Sequence, residues 1–214
     1  MNRSNNTSSL NDMARQSGPI YDRPWVFAGV GIYVPLSISI TLGNALVIAA
    51  FFSTPKLKTK TNYFIVSLAV ADLIVGTFSV PMWTYILITE DFENPVYRVY
   101  QAVDMVSGVS SILHLTCISL ERCYAIVAPL QHMRIKKGVL YSAIVISWAL
   151  GILSPLLKQY SGLNKVFVST LITFAFFFAP LLVILVAYVV IFISARKSMA
   201  IRRGNSLKKV LVAY

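Results

Sequence analysis

Five apolar stretches, each long enough to cross a bilayer as a helix, govern what this chain can fold into. They run approximately from Trp25 to Phe52, Tyr63 to Ile88, Val99 to Val127, Val139 to Leu157 and Val166 to Ser194. A hydrocarbon core roughly 30 Å thick needs about 20 apolar residues in helical form, and all five stretches are too long for strands. Inside lipid the backbone must satisfy its own polar groups, so each stretch reads as a helix. The expected fold is an all-α integral membrane bundle. Composition agrees: 57% of the residues are hydrophobic, 13% are charged and the mean hydropathy is +0.70, too few charges to cover a soluble domain of this length.

The formal net charge of +11 would raise nucleic acid as a partner, but the basic residues lie between the apolar stretches and report topology instead. Short loops rich in Lys and Arg stay on the cytoplasmic side. Lys56, Lys58 and Lys60 follow the first stretch and Arg134, Lys136 and Lys137 follow the third; Arg196, Lys197, Arg202, Arg203, Lys208 and Lys209 follow the fifth. The second stretch is followed by Glu90, Asp91 and Glu93. The expectation is an extracellular N-terminus and a cytoplasmic C-terminus in the plasma membrane. Residues 1–24 then form an extracellular tail, 25–194 the membrane region, and 195–214 a basic cytoplasmic segment in which a sixth helix could begin. Overlapping glycosylation acceptors at Asn2, Asn5 and Asn6 suit a lumenal tail, although such triplets also arise by chance where Ser and Asn are frequent. No cleavable signal peptide is evident. Cys117 and Cys123, the only cysteines, both fall on the third stretch, so no extracellular disulfide is expected.

Polar residues within a span carry a cost, which makes them informative. Asp104 and Arg122 are 18 residues apart on the third stretch, five whole turns and roughly 27 Å of rise. They therefore share a face at opposite ends. Between them lie Gly108, Ser111, Leu115 and Ile118, small or polar toward the outside and aliphatic toward the inside, as in a helix lining a pocket above a packed core. The spacing alone also fits an Asp at the outer interface and an Arg that snorkels to the inner headgroups. Asn44 and Asp72 each lie about ten residues from the Lys-rich loop between the first two stretches, which places both near the midplane, within reach of one another. They read either as interhelical glue or, with Ser111, as hard oxygen ligands for a cation.

Several sequence patterns then occur in order along the chain: Gly43-Asn44-Ala45-Leu46-Val47, Ser67-Leu68-Ala69-Val70-Ala71-Asp72, Ser119-Leu120-Glu121-Arg122-Cys123-Tyr124 continuing to Pro129-Leu130, Trp148, and Pro180 with Tyr188. Together they resemble the first five helices of a rhodopsin-like G-protein-coupled receptor. That resemblance implies a seven-helix receptor fold and coupling to a heterotrimeric G protein. It implies an allosteric sodium pocket at Asn44, Asp72 and Ser111, with no other cofactor. It assigns Glu121 and Arg122 to an inner lock, Pro129 and Leu130 to the G-protein contact, and Pro180 and Tyr188 to activation. Asp104 coincides with the aspartate that meets the ammonium group of amine ligands, with Met105, Gly108, Thr173 and Phe176 as further ligand contacts. The implied ligand is small and cationic, an amine or a basic peptide.

Departures from the family pattern widen the choice. Cys123 stands in place of a Tyr, and Tyr97 in place of the cysteine expected at the outer end of the third helix. The outer loop from about Lys158 to Lys165 is short and has no cysteine. Melanocortin and lysophospholipid receptors are similar in lacking that bridge, so peptide-type and lipid-type ligands stay open. Ser169, Thr170 and Thr173 beside Ile172 do not resemble a catechol site. The patterns of a sixth and seventh helix are absent, so the expectation is a truncated receptor, a fragment or a splice product. Such a form would not signal alone and would associate with a full-length receptor. A transporter using Asp72 and Asp104 is the rival class, but no inverted repeat is visible. An enzyme has no supporting pattern of nucleophile, base or phosphate loop. His114 reads as a hydrogen-bonded helix contact.

Overall fold

A computed structural model describes residues 23–160 and 164–212, and the candidate acceptors Asn2, Asn5 and Asn6 lie outside them. Five helices are long and apolar enough to cross a membrane: Pro24–Ser53, Lys60–Thr89, Pro95–Val127, Lys137–Gln159 and Val166–Lys197. We call them the first to fifth helices. A short loop helix, Pro129–Arg134, joins the third to the fourth. The basic residues beyond 194 continue the fifth helix, whose last segment runs Ala179–Val212 without a break; no separate sixth helix begins among the described residues.

The ends of the helices follow from local chemistry. Pro24 and Pro95 open the first and third helices, where a missing N–H costs nothing. The Asn94 side chain accepts from Val96 N at 2.9 Å, and Asp91 in turn accepts from the backbone of Glu93 and Asn94 at 3.1 and 3.0 Å. Glu90 closes the second helix in the left-handed region, φ 53°, and its carboxylate pairs with Arg23 at 3.2 Å. That pair ties the start of the first helix to the end of the second.

Two prolines leave the same signature. The second helix widens to a π-helical turn at Val75–Ser79 just before Pro81, and the fifth does so at Phe174–Phe178 just before Pro180. A proline removes its own i→i−4 bond and collides with the carbonyl four residues back. Those carbonyls belong to Thr77 and Phe176, inside the widened turns, where the altered register accommodates the ring.

The third helix is the centre of the bundle, packed against the second, fourth and fifth. Small polar residues allow the approach: Ser107, Ser110, Ser119, Ser147 and Ser154 are all buried. Their hydroxyls largely turn back onto their own helices, Ser107 to Val103 O at 2.7 Å and Ser147 to Ala143 O at 2.9 Å. A Cβ on Gly151 would strike Ser110 Oγ and lie 2.9 Å from Val106 O, so the third and fourth helices meet at a distance only glycine permits. The outer faces expose many large apolar side chains, among them Leu46, Val145, Leu182 and Phe192, the surface a bilayer solvates.

Candidate functional site

A cavity grows from one face of the third helix, toward the N-terminal end of that helix. Asp104, Met105 and Gly108 line it, and the fifth helix supplies Ser169, Ile172, Thr173, Phe176 and Phe177. Trp83 closes it from the second helix and Lys158 from the last turn of the fourth. Its volume is about 610 Å³, within the range that takes a small organic ligand. All five residues expected as ligand contacts, Asp104, Met105, Gly108, Thr173 and Phe176, border this one space. The Asp104 carboxylate forms no salt bridge among the described residues. A carboxylate without a cation beside aromatic walls can receive an ammonium group through charge and through ring faces.

Above Asp104 the helix carries an aromatic ladder. Tyr97 stacks on Tyr100 with centroids 6.3 Å apart, Tyr100 meets Trp83 at 5.4 Å, and Phe92 meets Tyr97 edge-on at 5.4 Å. Tyr100 thus joins the start of the third helix to the second by ring contact, and Tyr97 joins it to Phe92 of the loop between them. The sequence marked Tyr97 only as a substitute for cysteine; its partners are visible only in three dimensions.

At the middle of the bundle, Ser111 Oγ donates to Asp72 Oδ1 at 2.9 Å. Asn44 behaves differently from the expectation: its amide Nδ2 donates to Ile40 O on its own helix at 2.9 Å, and no bond joins it to Asp72. The carbonyl one turn back, already in the helical ladder, takes the amide as a second donor, and the first helix bonds the second elsewhere, where Ser37 Oγ donates to Gly76 O at 2.6 Å. Asp72 and Ser111 are hard oxygen donors of the kind sodium takes.

Beside them runs a buried relay the sequence did not reveal. Trp148 Nε1 donates to Ser67 Oγ at 3.0 Å, and Ser67 Oγ lies 2.8 Å from His114 Nε2. His114 Nδ1 faces Ser110 O at 2.6 Å. A carbonyl can only accept, so Nδ1 carries the proton, and in the neutral ring Nε2 accepts from Ser67. Both ring nitrogens of His114 are paired, which fits a packing role for it.

The inner end holds Glu121 and Arg122. Glu121 Oε2 accepts from Thr61 Oγ1 at 2.7 Å, and Oε1 accepts from His132 Nε2 of the loop helix at 2.8 Å. Arg122 Nε stands 4.0 Å from the same carboxylate, with its side chain more than half exposed. The nearest partners of Glu121 are therefore Thr61 and His132, not Arg122. Lys60 Nζ caps the loop helix by donating to His132 O and Met133 O at 3.1 and 3.2 Å. Pro129 and Leu130 on that helix are exposed. On the fifth helix Pro180 is buried and Tyr188 is exposed.

Comparison with known proteins places this arrangement. The family model of the 7 transmembrane receptor (rhodopsin family) matches residues 43–166. The chain is 32% identical to the 5-hydroxytryptamine receptor 2C of Mus musculus over 83% of its own length and 44% of that receptor's. It is 34% identical to the Tyramine receptor Ser-2 of Caenorhabditis elegans, over 83% of this chain and 43% of that one. With the Muscarinic acetylcholine receptor M1 of Homo sapiens it shares 36% identity over 59% of this chain and 28% of the receptor. The chain thus spans less than half the length of these relatives.

Proposed function

The chain belongs to the rhodopsin family of seven-transmembrane receptors, and on that premise we propose that it serves a receptor for a small cationic ligand of the amine class. Family membership makes it a multi-pass membrane receptor and not an enzyme. The observation that carries the ligand reading is Asp104, a carboxylate without a cationic partner in a cavity bordered by Trp83, Tyr100 and Phe176. The relatives are named for serotonin, tyramine and acetylcholine, three ligands that carry a positive nitrogen.

In this reading the cavity faces the outside of the plasma membrane, with the Lys-rich ends of the helices in the cytoplasm. Glu121, Arg122, Pro129 and Leu130 meet a heterotrimeric G protein, and the Asp72 and Ser111 oxygens hold a sodium ion that biases the resting state. Signalling requires an element with two states that the ligand distinguishes, which in the seven-helix receptor includes helices beyond the fifth. Small and polar faces of the bundle also suit association with another receptor in the bilayer.

The test is agonist-stimulated nucleotide exchange from a chimera in which this chain is continued by the sixth and seventh helices of the 5-hydroxytryptamine receptor 2C. Amines should stimulate exchange, and Asp104→Asn or Arg122→Ala should each abolish it. Stimulation that persists in Asp104→Asn, or that uncharged analogues match, would contradict the reading.

A further inference from the structure

The outer cavity contains two opposite charges that do not meet. Asp104 on the third helix and Lys158 on the fourth both line it, yet no salt bridge joins them. Among the described residues the Lys158 ammonium group forms no hydrogen bond and no ion pair. A lysine in the last turn of a helix is favoured by the helix dipole, but the dipole leaves the ammonium hydrogens unused. In a cavity bordered by Trp83, Ile172 and Phe176, an ammonium group with no partner is best satisfied by a ligand group of opposite sign.

We propose that the ligand is bipolar: an ammonium group held by Asp104 and an anionic group, a carboxylate or its equivalent, held by Lys158. The assignment of the ammonium to Asp104 rests on the function proposed above; the anionic end is additional. A cavity of about 610 Å³ has room, beyond the two charged groups, for an aromatic or aliphatic spacer against Trp83, Ile172 and Phe176. Lys158 thereby acts as a specificity residue: it selects acid-bearing amines over simple amines and repels dications.

The experiment uses the 214-residue chain in lipid nanodiscs and a matched pair of probes. One is tyramine carrying a carboxymethyl ether on its phenol oxygen; the other is the corresponding primary amide, equal in size but uncharged at that end. Equilibrium binding is measured for wild type, Lys158→Ala, Lys158→Glu and Asp104→Asn, with thermal unfolding as the check that each variant is folded. Wild type should bind the acid at least tenfold more tightly than the amide. Lys158→Ala should remove that preference while leaving amide binding within about threefold, and Lys158→Glu should invert it. Asp104→Asn should weaken both probes. An acid that binds no better than the amide in wild type, or a preference unchanged in Lys158→Ala, overturns the role of Lys158. Amide binding unaffected by Asp104→Asn overturns the ammonium reading instead, so the two failures are separable.

Discussion

Ser111 and Asp72, 39 positions apart in sequence, are joined by a 2.9 Å hydrogen bond between the third and second helices. The donor is a neutral hydroxyl and the acceptor a carboxylate, a combination stronger than a neutral pair. Replacing Ser111 by Ala leaves one carboxylate oxygen without this donor and should destabilise the bundle by about 1.5–3 kcal/mol. Thermal unfolding in detergent, with and without sodium, checks it. Sodium but not potassium should raise the midpoint of the wild type, and Ser111→Ala should blunt that rise; identical sodium responses would show that Ser111 holds no ion.

Glycines divide into two groups. A Cβ on Gly76 would fall 2.7 Å from Thr41 Oγ1 and 3.1 Å from Thr41 N, and one on Gly151 would strike the third helix. Gly43 and Gly31 would meet nothing within 4 Å. Gly76→Ala and Gly151→Ala should each cost about 1–3 kcal/mol through overpacking, while Gly31→Ala and Gly43→Ala should leave the midpoint unchanged or slightly raised. Equal effects in the two groups would mean that these helices do not approach so closely.

The contacts of Glu121 give a third prediction. Glu121 is gripped by Thr61 and His132 at 2.7 and 2.8 Å, with Arg122 more distant. A double-mutant cycle between Glu121→Gln and His132→Ala should therefore return a coupling on the order of 1–3 kcal/mol. The cycle between Glu121→Gln and Arg122→Ala should return less than about 1 kcal/mol, as for exposed pairs. The reverse ranking, measured by unfolding, would assign the lock to the arginine.

Sequence legibility tracked the range of each interaction. The five helices were readable because apolar length is a property of each segment alone. The face shared by Asp104, Gly108 and Ser111 was readable because helical periodicity places residues of one helix relative to each other. The grip of Thr61 and His132 on Glu121 was not, since periodicity carries no information between separate helices, whether 60 residues apart as with Thr61 or 11 as with His132. For the same reason Trp83 and Lys158 entered the outer cavity only in the folded chain. Asn44 misled in the opposite way: a local carbonyl, Ile40 O, satisfied an amide expected to reach across to Asp72. Pro180 was noted in the sequence, but not that a π-helical turn would precede it, and Pro81, with the same turn before it, was not singled out at all.

The aromatic ladder over Asp104 yields a fourth prediction. Tyr97→Ala removes the contacts to Tyr100 and Phe92 and should cost about 0.5–1.5 kcal/mol beyond the lost area. Hydrogen exchange should then speed up at the start of the third helix, from Pro95 onward, and not at its inner end. Uniform acceleration along the helix would show that Tyr97 is not a local clamp.

The most direct measurement is the affinity of tyramine against that of 4-propylphenol, which has the same ring and a similar chain but no ammonium group. It is taken on the nanodisc-embedded chain, in wild type and in Asp104→Asn. A carboxylate–ammonium pair that the bound ligand itself covers is worth about 2–5 kcal/mol on truncation. The wild type should therefore favour tyramine by more than tenfold, and Asp104→Asn should bring the two ligands to within about threefold of each other. A tyramine preference of the same size in wild type and Asp104→Asn would contradict the account.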